Sequence, residues 1–447
     1  MKFNGIHFHF IGIGGISLSA LALLTIARGA VVSGSDIVES DQTLTLKTAG
    51  AKIFIGHDAR NVMGASVVVY SSAIKEENPE IIYAKKHNIK LIKRAELLAA
   101  IAKEYPVTVA IAGSHGKTTT TAMISQILIN AGFDPTVHVG GEFRYIGGNV
   151  KIGGGGVFVT EACEYMDNFL YLTPTVGVCL NVSPDHLDYF KTFNNIQTSF
   201  KKFISQSEIV ISNADDATLG LNKHNLTFSI NNKGQLCAVN ICEYKPGLFS
   251  FDCLYDGAII TRIYLNIYGK HNIYNALAAI GVGILFKIDI KFIKKSIEHF
   301  SGVGRRFEQI GEINGAKIII DYAHHPDEIA ASIKAAAKIT SNRVIAIFQP
   351  HTFTRTQALL KEFAASLAEA SEVAVFKIYS AREKPIDGVD NRLLSNEVNK
   401  LGTPSVSIDD YQTLKEFIAS RSVSGDVILI LGAGDYVKAC KELPFDE

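Results

Sequence analysis

The chain has no surplus of either charge. Its 44 basic and 44 acidic residues cancel to a formal net charge of +0, so no broad basic field is available for a nucleic-acid partner. No apolar run approaches the roughly 18 residues that a membrane span needs. Lys2 before an apolar stretch has the outline of a signal peptide, but Gly12, Gly14 and Gly15 interrupt it. Cysteine is sparse, and Cys163, Cys179, Cys237, Cys242, Cys253 and Cys440 form no C-x-x-C pair. They read as reduced thiols packed in a cytoplasmic protein, and nothing around Cys163 marks a nucleophile. The expectation is a cytoplasmic protein with neither nucleic-acid nor membrane partners.

What is present is an α/β chain too long for one core. A length of 447 residues suggests about three domains. Residues 107–123 read V-T-V-A-I-A-G-S-H-G-K-T-T-T-T-A-M, a β-branched strand, a glycine turn and a helix opened by Lys117. Gly113 and Gly116 accept backbone angles that let amides point inward at a phosphate, and the helix start adds unpaired N–H groups. Lys117 reaches β/γ-phosphates and the Thr118 hydroxyl suits Mg²⁺. The candidate phosphate loop is Gly113, Ser114, His115, Gly116, Lys117, Thr118 and Thr119. Its G-S-H-G-K-T is shorter than the common G-x-x-x-x-G-K-[ST] loop.

Residues 1–103 alternate strand and helix. A strand at 6–11 leads into Gly12, Gly14, Gly15, Ile16 and Ser17, then a helix, then a strand ending at Asp36. This is a dinucleotide fingerprint in outline, with Ser17 where the third glycine would stand. It suits a diphosphate at a helix N-terminus better than it specifies NAD. Ser71 and Ser72 follow another strand, at the edge where open α/β sheets bind ligands. Glu104-Tyr105-Pro106 breaks the alternation and marks a boundary.

Residues 104–302 form the central domain. Glycines between 140 and 156 make either a loop over a ligand or a set of hairpin turns. A strand at 157–160 ends in Glu161-Ala-Cys-Glu164, and one at 176–180 ends in Asn181-Val-Ser-Pro-Asp185-His186-Leu-Asp188. Two parallel strands thus bring a carboxylate and an imidazole to the phosphate-loop edge. Glu161 suits Mg²⁺, which prefers oxygen. His186 alone reads as a hydrogen-bonding histidine, its ring oriented by Asp185 or Asp188. Residues 201–250 give mixed signals. Gly269-Lys-His271-Asn272-Ile-Tyr-Asn275-Ala opens an apolar helix, and an asparagine pairs donor and acceptor against an adenine edge.

Residues 303–447 form another doubly wound sheet. Arg305 and Arg306 stand at the junction, where a solvated hinge is the ordinary reading and contact with a transferring phosphate the other. Strand ends carry Asp321-Tyr322-Ala-His324-His325-Pro326 and Gln349-Pro-His351-Thr352-Phe-Thr-Arg355.

G-S-H-G-K-T-T-T, T-E-A-C-E and N-V-S-P-D-H-L-D, in that order, resemble the Mur ligases, ATP-dependent amide ligases of peptidoglycan synthesis, and the resemblance runs the full length. The short phosphate loop is their usual form. The resemblance implies three domains: an N-terminal Rossmann-like domain for the UDP-sugar (1–103), a central P-loop ATPase-type domain (104–302), and a C-terminal Rossmann-like domain (303–447). It implies Mg²⁺ on Thr118, Glu161 and His186, and ATP on the phosphate loop with His271, Asn272, Asn275, Arg306 and Asp321. It places the UDP-sugar on Gly12 to Ser17, with Asp36, Ser71 and Ser72 alongside. Catalysis falls to Lys117, His186 and Arg306. D-Y-A-H-H-P and Q-P-H-T-F-T-R-T point within the family to addition of L-alanine to the lactyl carboxylate of UDP-N-acetylmuramate through an acyl phosphate. Tyr322, His324 and Arg355 would hold the amino acid; some members carry arginine where Thr352 stands here. A monomer or weak homodimer is expected. The alternatives are a recycling ligase that attaches a tripeptide to the same sugar nucleotide, a catalytically silent ATP-binding subunit, and a nicotinamide oxidoreductase read from the N-terminal turn alone.

Overall fold

The computed structural model describes every residue except 220–224, 382, 441 and 447, and every remaining side chain except those of Asp188 and Lys438. The chain divides into two compact units, Met1–Cys242 with Ser250–Ile267 and His271–Val303, and Glu243–Phe249 with Tyr268–Lys270 and Gly304–Glu447.

The first unit holds one sheet and most of a second. Strands β1 (His7–Ile11), β2 (Val31–Asp36), β3 (Lys52–Ile55), β4 (Val67–Tyr70) and β5 (Lys90–Lys93) lie in the order β3-β2-β1-β4-β5, all parallel. Chain order reverses between β1 and β4, and such a switch opens a crevice at the strands' carboxyl ends. The glycine turn after β1 and Ser71-Ser72 after β4 both stand at that crevice.

The second sheet has ten strands: β6 (Val107–Ala112), β7 (Thr136–Phe143), β8 (Gly148–Lys151), β9 (Val157–Glu161), β10 (Val176–Cys179), β11 (Ile209–Asn213), β12 (Leu226–Ser229), β13 (Leu236–Lys245), β14 (Leu248–Tyr255) and β15 (Ala258–Tyr264). Their order is β15-β14-β13-β12-β11-β10-β6-β9-β7-β8. β6 is central, parallel to β10 on one side and β9 on the other. Such two-sided burial explains its unbroken β-branched and alanine run. The glycine-rich segment resolves into hairpin geometry, β7 against β8 antiparallel. Glu104-Tyr105-Pro106 is packed rather than loose. Arg28 bonds Glu104 at 2.6 Å and Tyr105 stacks on Phe158 at 5.1 Å. One apolar core runs from Phe8 and Phe10 through Ala110 to Phe158 and Phe200. The first sheet and most of the second therefore share a compact unit.

The second unit carries β16 (Glu308–Ile313), β17 (Ala316–Asp321), β18 (Val344–Phe348), β19 (Glu372–Phe376), β20 (Ser405–Ile408) and β21 (Val427–Leu431), ordered β16-β17-β21-β18-β19-β20. β16 is antiparallel to β17, and the other pairings are parallel. After β18 the chain forms helices Phe353–Ala358 and Leu360–Leu367, broken at Leu359.

Candidate active site

Gly116 caps the helix Lys117–Asn130 in the left-handed region, at φ 84°. A Cβ there would lie 2.4 Å from Asn275 Oδ1, so the turn requires glycine. Lys117 folds over its own loop. Its Nζ donates to Gly113 O at 2.5 Å and Ser114 O at 3.2 Å, and pairs with Glu164 at 2.8 Å from Oε2. Burial disfavours the Lys117 ammonium, but Glu164, with Cys163 and Glu161 adding, holds its pKa above the usual lysine range. Asn181 brackets the loop from β10: its Oδ1 accepts from His115 N at 2.9 Å and its carbonyl from Ser114 N at 3.0 Å. Thr118 is buried at the first helical turn.

Three strand ends converge here. His186 follows β10 in a left-handed conformation, φ 54° and ψ 37°, unusual for a residue with a side chain. Its Nε2 lies 3.8 Å from Glu164 Oε1 and 3.7 Å from Asp185 Oδ2. Glu164, Asp185 and His186 each present a ligand atom, all within 4.8 Å of one another. The two carboxylates suit a hard divalent cation, while an imidazole is an unusual ligand for one. Asp188, the other candidate to orient His186, lies outside the described side chains. Glu161 lies three residues before Glu164, at the end of β9. Its Oε1 accepts from Gly140 N at 2.5 Å, and Oε2 takes no hydrogen bond among the described residues. Glu164 is aimed by the loop behind it. Met166 and Asp167 are both left-handed, and Asp167 is anchored by Ser199 and by Tyr189 Oη, the latter at 2.9 Å. Burial pushes the Cys163 thiol above its ordinary value, which keeps it unreactive.

Asn272 and Asn275 open the helix Asn272–Leu285. Asn275 Nδ2 donates to Asn272 Oδ1 at 2.8 Å, and Asn275 Oδ1 accepts from Thr120 at 3.2 Å. Asn275 thus braces the start of the phosphate-loop helix. His271 is depressed by burial and by nearby His115.

At the N-terminal crevice, Asp36 Oδ2 accepts from Gly14 N at 2.8 Å, pinning the glycine turn. Gly15 N closes the turn on Gly12 O at 3.1 Å. Ser17 Oγ meets His138 Nε2 and Arg94 Nη1, each at 3.0 Å. A cavity of about 200 Å³ is lined by Ser72, Lys93, Arg94 and Asn168 among others, whereas Ser71 carries the turn to Ile74 N through its carbonyl. Arg94 and His138 escape sequence reading. A first-turn arginine looks like a solvated charge, and a histidine inside a strand looks like core.

In the second unit, Arg305 Nη2 donates to Gly432 O at 2.8 Å and Gly434 O at 3.1 Å, and its guanidinium lies over Tyr322 and Tyr436. Arg306 rests on the Tyr322 ring at 5.1 Å. Asp321 accepts from Phe307 N and from Ser332; burial raises its pKa, while Ser332 and Arg306 pull it down. Tyr322 and His324 stand 5.3 Å apart, with His351 6.3 Å beyond His324. Burial lowers the pKa of both histidines, and Arg355 contributes to each shift, bringing His351 to about 4. Tyr322, His324 and His351 thus form one aromatic row, and the Arg355 charge acts on both of its histidines. His351 Nδ1 is buried without a partner among the described residues, a group suited to a polar ligand.

Three family models match in order: Mur ligase family, catalytic domain, over residues 7–106; Mur ligase middle domain, over 111–283; and Mur ligase, glutamate ligase domain, over 305–434. The UDP-N-acetylmuramate–L-alanine ligase of Alkaliphilus metalliredigens is 45% identical over 437 residues, covering 96% of this chain and 95% of that protein. That of Caldanaerobacter subterraneus subsp. tengcongensis is 46% identical over 442 residues, covering 97% and 96%. The crystal structure of the Thermotoga maritima UDP-N-acetylmuramate–alanine ligase superposes with a TM-score of 0.85 at 28% identity, covering 98% and 97%.

Proposed function

This chain belongs to the Mur ligase family, and from that premise we propose that it joins L-alanine to the lactyl carboxylate of UDP-N-acetylmuramate, using ATP, in peptidoglycan synthesis. The observation that carries the reading is the convergence of Lys117, Glu164 and His186 at the ends of three adjacent parallel strands. It is joined by full-length likeness to relatives named for this reaction. In this reading the protein is cytoplasmic and works as a monomer or weak homodimer. The functional domains divide near residues 103 and 302.

The chemistry begins with two anions. The lactyl carboxylate oxygen attacks the γ-phosphorus, the bond to the β-bridging oxygen breaks, and ADP leaves. The L-alanine amine then attacks the acyl carbon, losing its proton as inorganic phosphate departs. Lys117 exchanges its carbonyl partners for phosphate oxygens, and Arg306 offsets the charge that spreads over the transferring group. Gly12 to Ser17, Asp36, Ser71 and Ser72 hold the sugar nucleotide at the first crevice. His271, Asn272 and Asn275 shape the adenine side of the ATP site. Tyr322, His324 and Arg355 hold the amino acid. Holding the reactants close removes the entropy of their meeting.

Mg²⁺ fits beside Thr118, on Glu161 and His186, where it would neutralise β/γ-phosphate charge. The family resemblance favours Glu161, whose Oε2 takes no hydrogen bond among the described residues; Glu164 Oε1 accepts from Lys117, and its Oε2, which makes no hydrogen bond among the described residues, lies 2.8 Å from the same ammonium. Glu161→Gln is therefore expected to raise the Mg²⁺ concentration for half-maximal ADP release by about tenfold or more. Glu164→Gln is expected to shift it less than about threefold. Magnesium titration of both variants checks this, and the opposite ranking would transfer the ligand role to Glu164.

The assignment itself is tested by ADP release with UDP-N-acetylmuramate and each acceptor in turn. L-Alanine is expected to support turnover and the cell-wall tripeptide to support none. Turnover with the tripeptide alone would make the protein a recycling ligase. Failure to release ADP with every acceptor would favour a catalytically silent subunit.

A further inference from the structure

Ser17 breaks the glycine fingerprint, and its surroundings give that departure a use. Four hydrogen bonds run through it in one direction, from Arg94 to the Glu161 carbonyl. Arg94 has only donors, so Ser17 Oγ accepts from Nη1 at 3.0 Å. The Ser17 hydrogen is then free for His138 Nε2, also at 3.0 Å. At the other end, Thr160 Oγ1 donates its single hydrogen to Glu161 O at 3.1 Å, so its oxygen accepts from His138 Nδ1 at 2.9 Å. A neutral imidazole protonated on Nδ1 lets every group in this chain keep its partner, with Ser17 donating to Nε2 and Thr160 accepting from Nδ1. Burial and the nearby Arg94 charge hold His138 in that neutral state, with a pKa of about 3.

The chain of bonds links two sheets. Arg94 opens the helix after β5, Ser17 lies in the helix start after β1, His138 is on β7, and Thr160 is on β9. His138 and Thr160 are register partners on parallel strands and are fully buried. Two residues further along β7, Gly140 N holds the Glu161 carboxylate. β7 thus fixes Glu161 twice, at its carbonyl through Thr160 and at its side chain through Gly140. A second tie, Asn149 Nδ2 to Ile16 O, joins β8 to the same helix start. Arg94 also lines the 200 Å³ cavity that holds Ser72, so an anion seated there engages the first donor of the chain.

We propose that His138 is a positioning residue that couples occupancy of the sugar-nucleotide crevice to the placement of Glu161 at the phosphate loop. The inference rests on the ligase reading above. A ligand phosphate that draws Arg94 or the Ser17 hydroxyl away changes what Nε2 receives. The altered polarity then reaches the strand end bearing Glu161. Coupling of this kind is reciprocal, so each ligand alters the other's affinity by the same factor.

The test is calorimetric titration of the full-length protein with Mg²⁺ plus ADP, with and without saturating UDP-N-acetylmuramate, and the reverse. In the wild type the two Kd ratios are expected to agree and to differ from one by about fivefold or more. His138→Phe, which keeps the volume and loses both bonds, is expected to bring the ratio within about twofold of one. His138→Gln, which retains one acceptor and one donor, is expected to keep more of it. Thr160→Val cuts the chain at its far end and decides the matter if His138→Phe does not fold. A histidine serving packing alone would lower Tm and move both affinities together, leaving the ratio intact. An unchanged ratio in His138→Phe or Thr160→Val, or a wild-type ratio of one, overturns the coupling while leaving the ligase reading in place. A wild type that binds no UDP-N-acetylmuramate at all overturns the ligase reading, and the coupling with it.

Discussion

Lys117→Met is expected to abolish ADP release, lowering kcat by about 10³-fold or more with every substrate saturating, since one preorganised charged donor at a transferring group is worth that much. The same substitution also strips Glu164 of its partner. Glu164 is 3% exposed and Lys117 16%, and removing one member of a buried ion pair costs about 3 kcal/mol or more. A loss of activity alone would therefore not separate chemistry from folding. The pair of variants Lys117→Met and Lys117→Met with Glu164→Gln does separate them. The second removes the orphaned charge and is expected to regain most of the lost Tm while regaining no ADP release. Recovery of turnover along with stability would show that Lys117 serves the fold and that the phosphate is held by other groups.

That dual role bears on what the amino-acid order reveals. The phosphate loop was legible because its determinants are local: a buried β-branched strand, two glycines at fixed offsets, and a lysine at the first helical position. The strand ends were legible for the same reason. Choosing between Glu161 and Glu164 was not a local matter. Both lie in one five-residue motif, and their directions depend on the left-handed pair Met166-Asp167, held by Ser199 and Tyr189 more than twenty residues onward. Strand β16 was missed because E-Q-I-G-E-I has little apolar content. It pairs at a sheet edge with a register shift between Gln309 and Gly311, and a Cβ at Gly311 would strike Phe445 at 2.3 Å. Strands β13, β14 and β15 were equally obscure. Half-exposed positions interrupt their alternation, and their register is set by neighbours instead of by pattern. Arg94, His138 and His351 were hidden for a third reason. Their partners come from distant segments, which spacing along the chain does not report.

Arg305 and Arg306 are adjacent and chemically identical, yet opposite results are expected from replacing them. Arg305 is committed to the fold of its own unit. It takes a left-handed φ of 59°, bonds two carbonyls after β21, and is stacked between Tyr322 and Tyr436 at 5.0 and 4.9 Å. Lysine has no planar fork to stack or to bridge both carbonyls. Arg305→Lys is therefore expected to cost about 1–2 kcal/mol of stability, seen as a lower Tm, with kcat reduced less than about threefold. Arg306 makes no hydrogen bond among the described residues; its guanidinium rests on the Tyr322 face and its charge lowers the pKa of Asp321, and in the proposed reaction it meets the transferring phosphoryl group. An arginine that meets such a group is worth about 10³-fold or more in kcat, and the contribution needs the delocalised, forked cation. Arg306→Lys is accordingly expected to lower kcat by about that factor, with Tm unchanged and the ATP KM moved less than about threefold. Thermal unfolding and steady-state ADP release on the two variants measure both quantities. If Arg305→Lys lost the rate and Arg306→Lys lost the stability, the roles would be exchanged. If neither lost the rate, the charge developing on phosphate would fall to Lys117 and the metal alone.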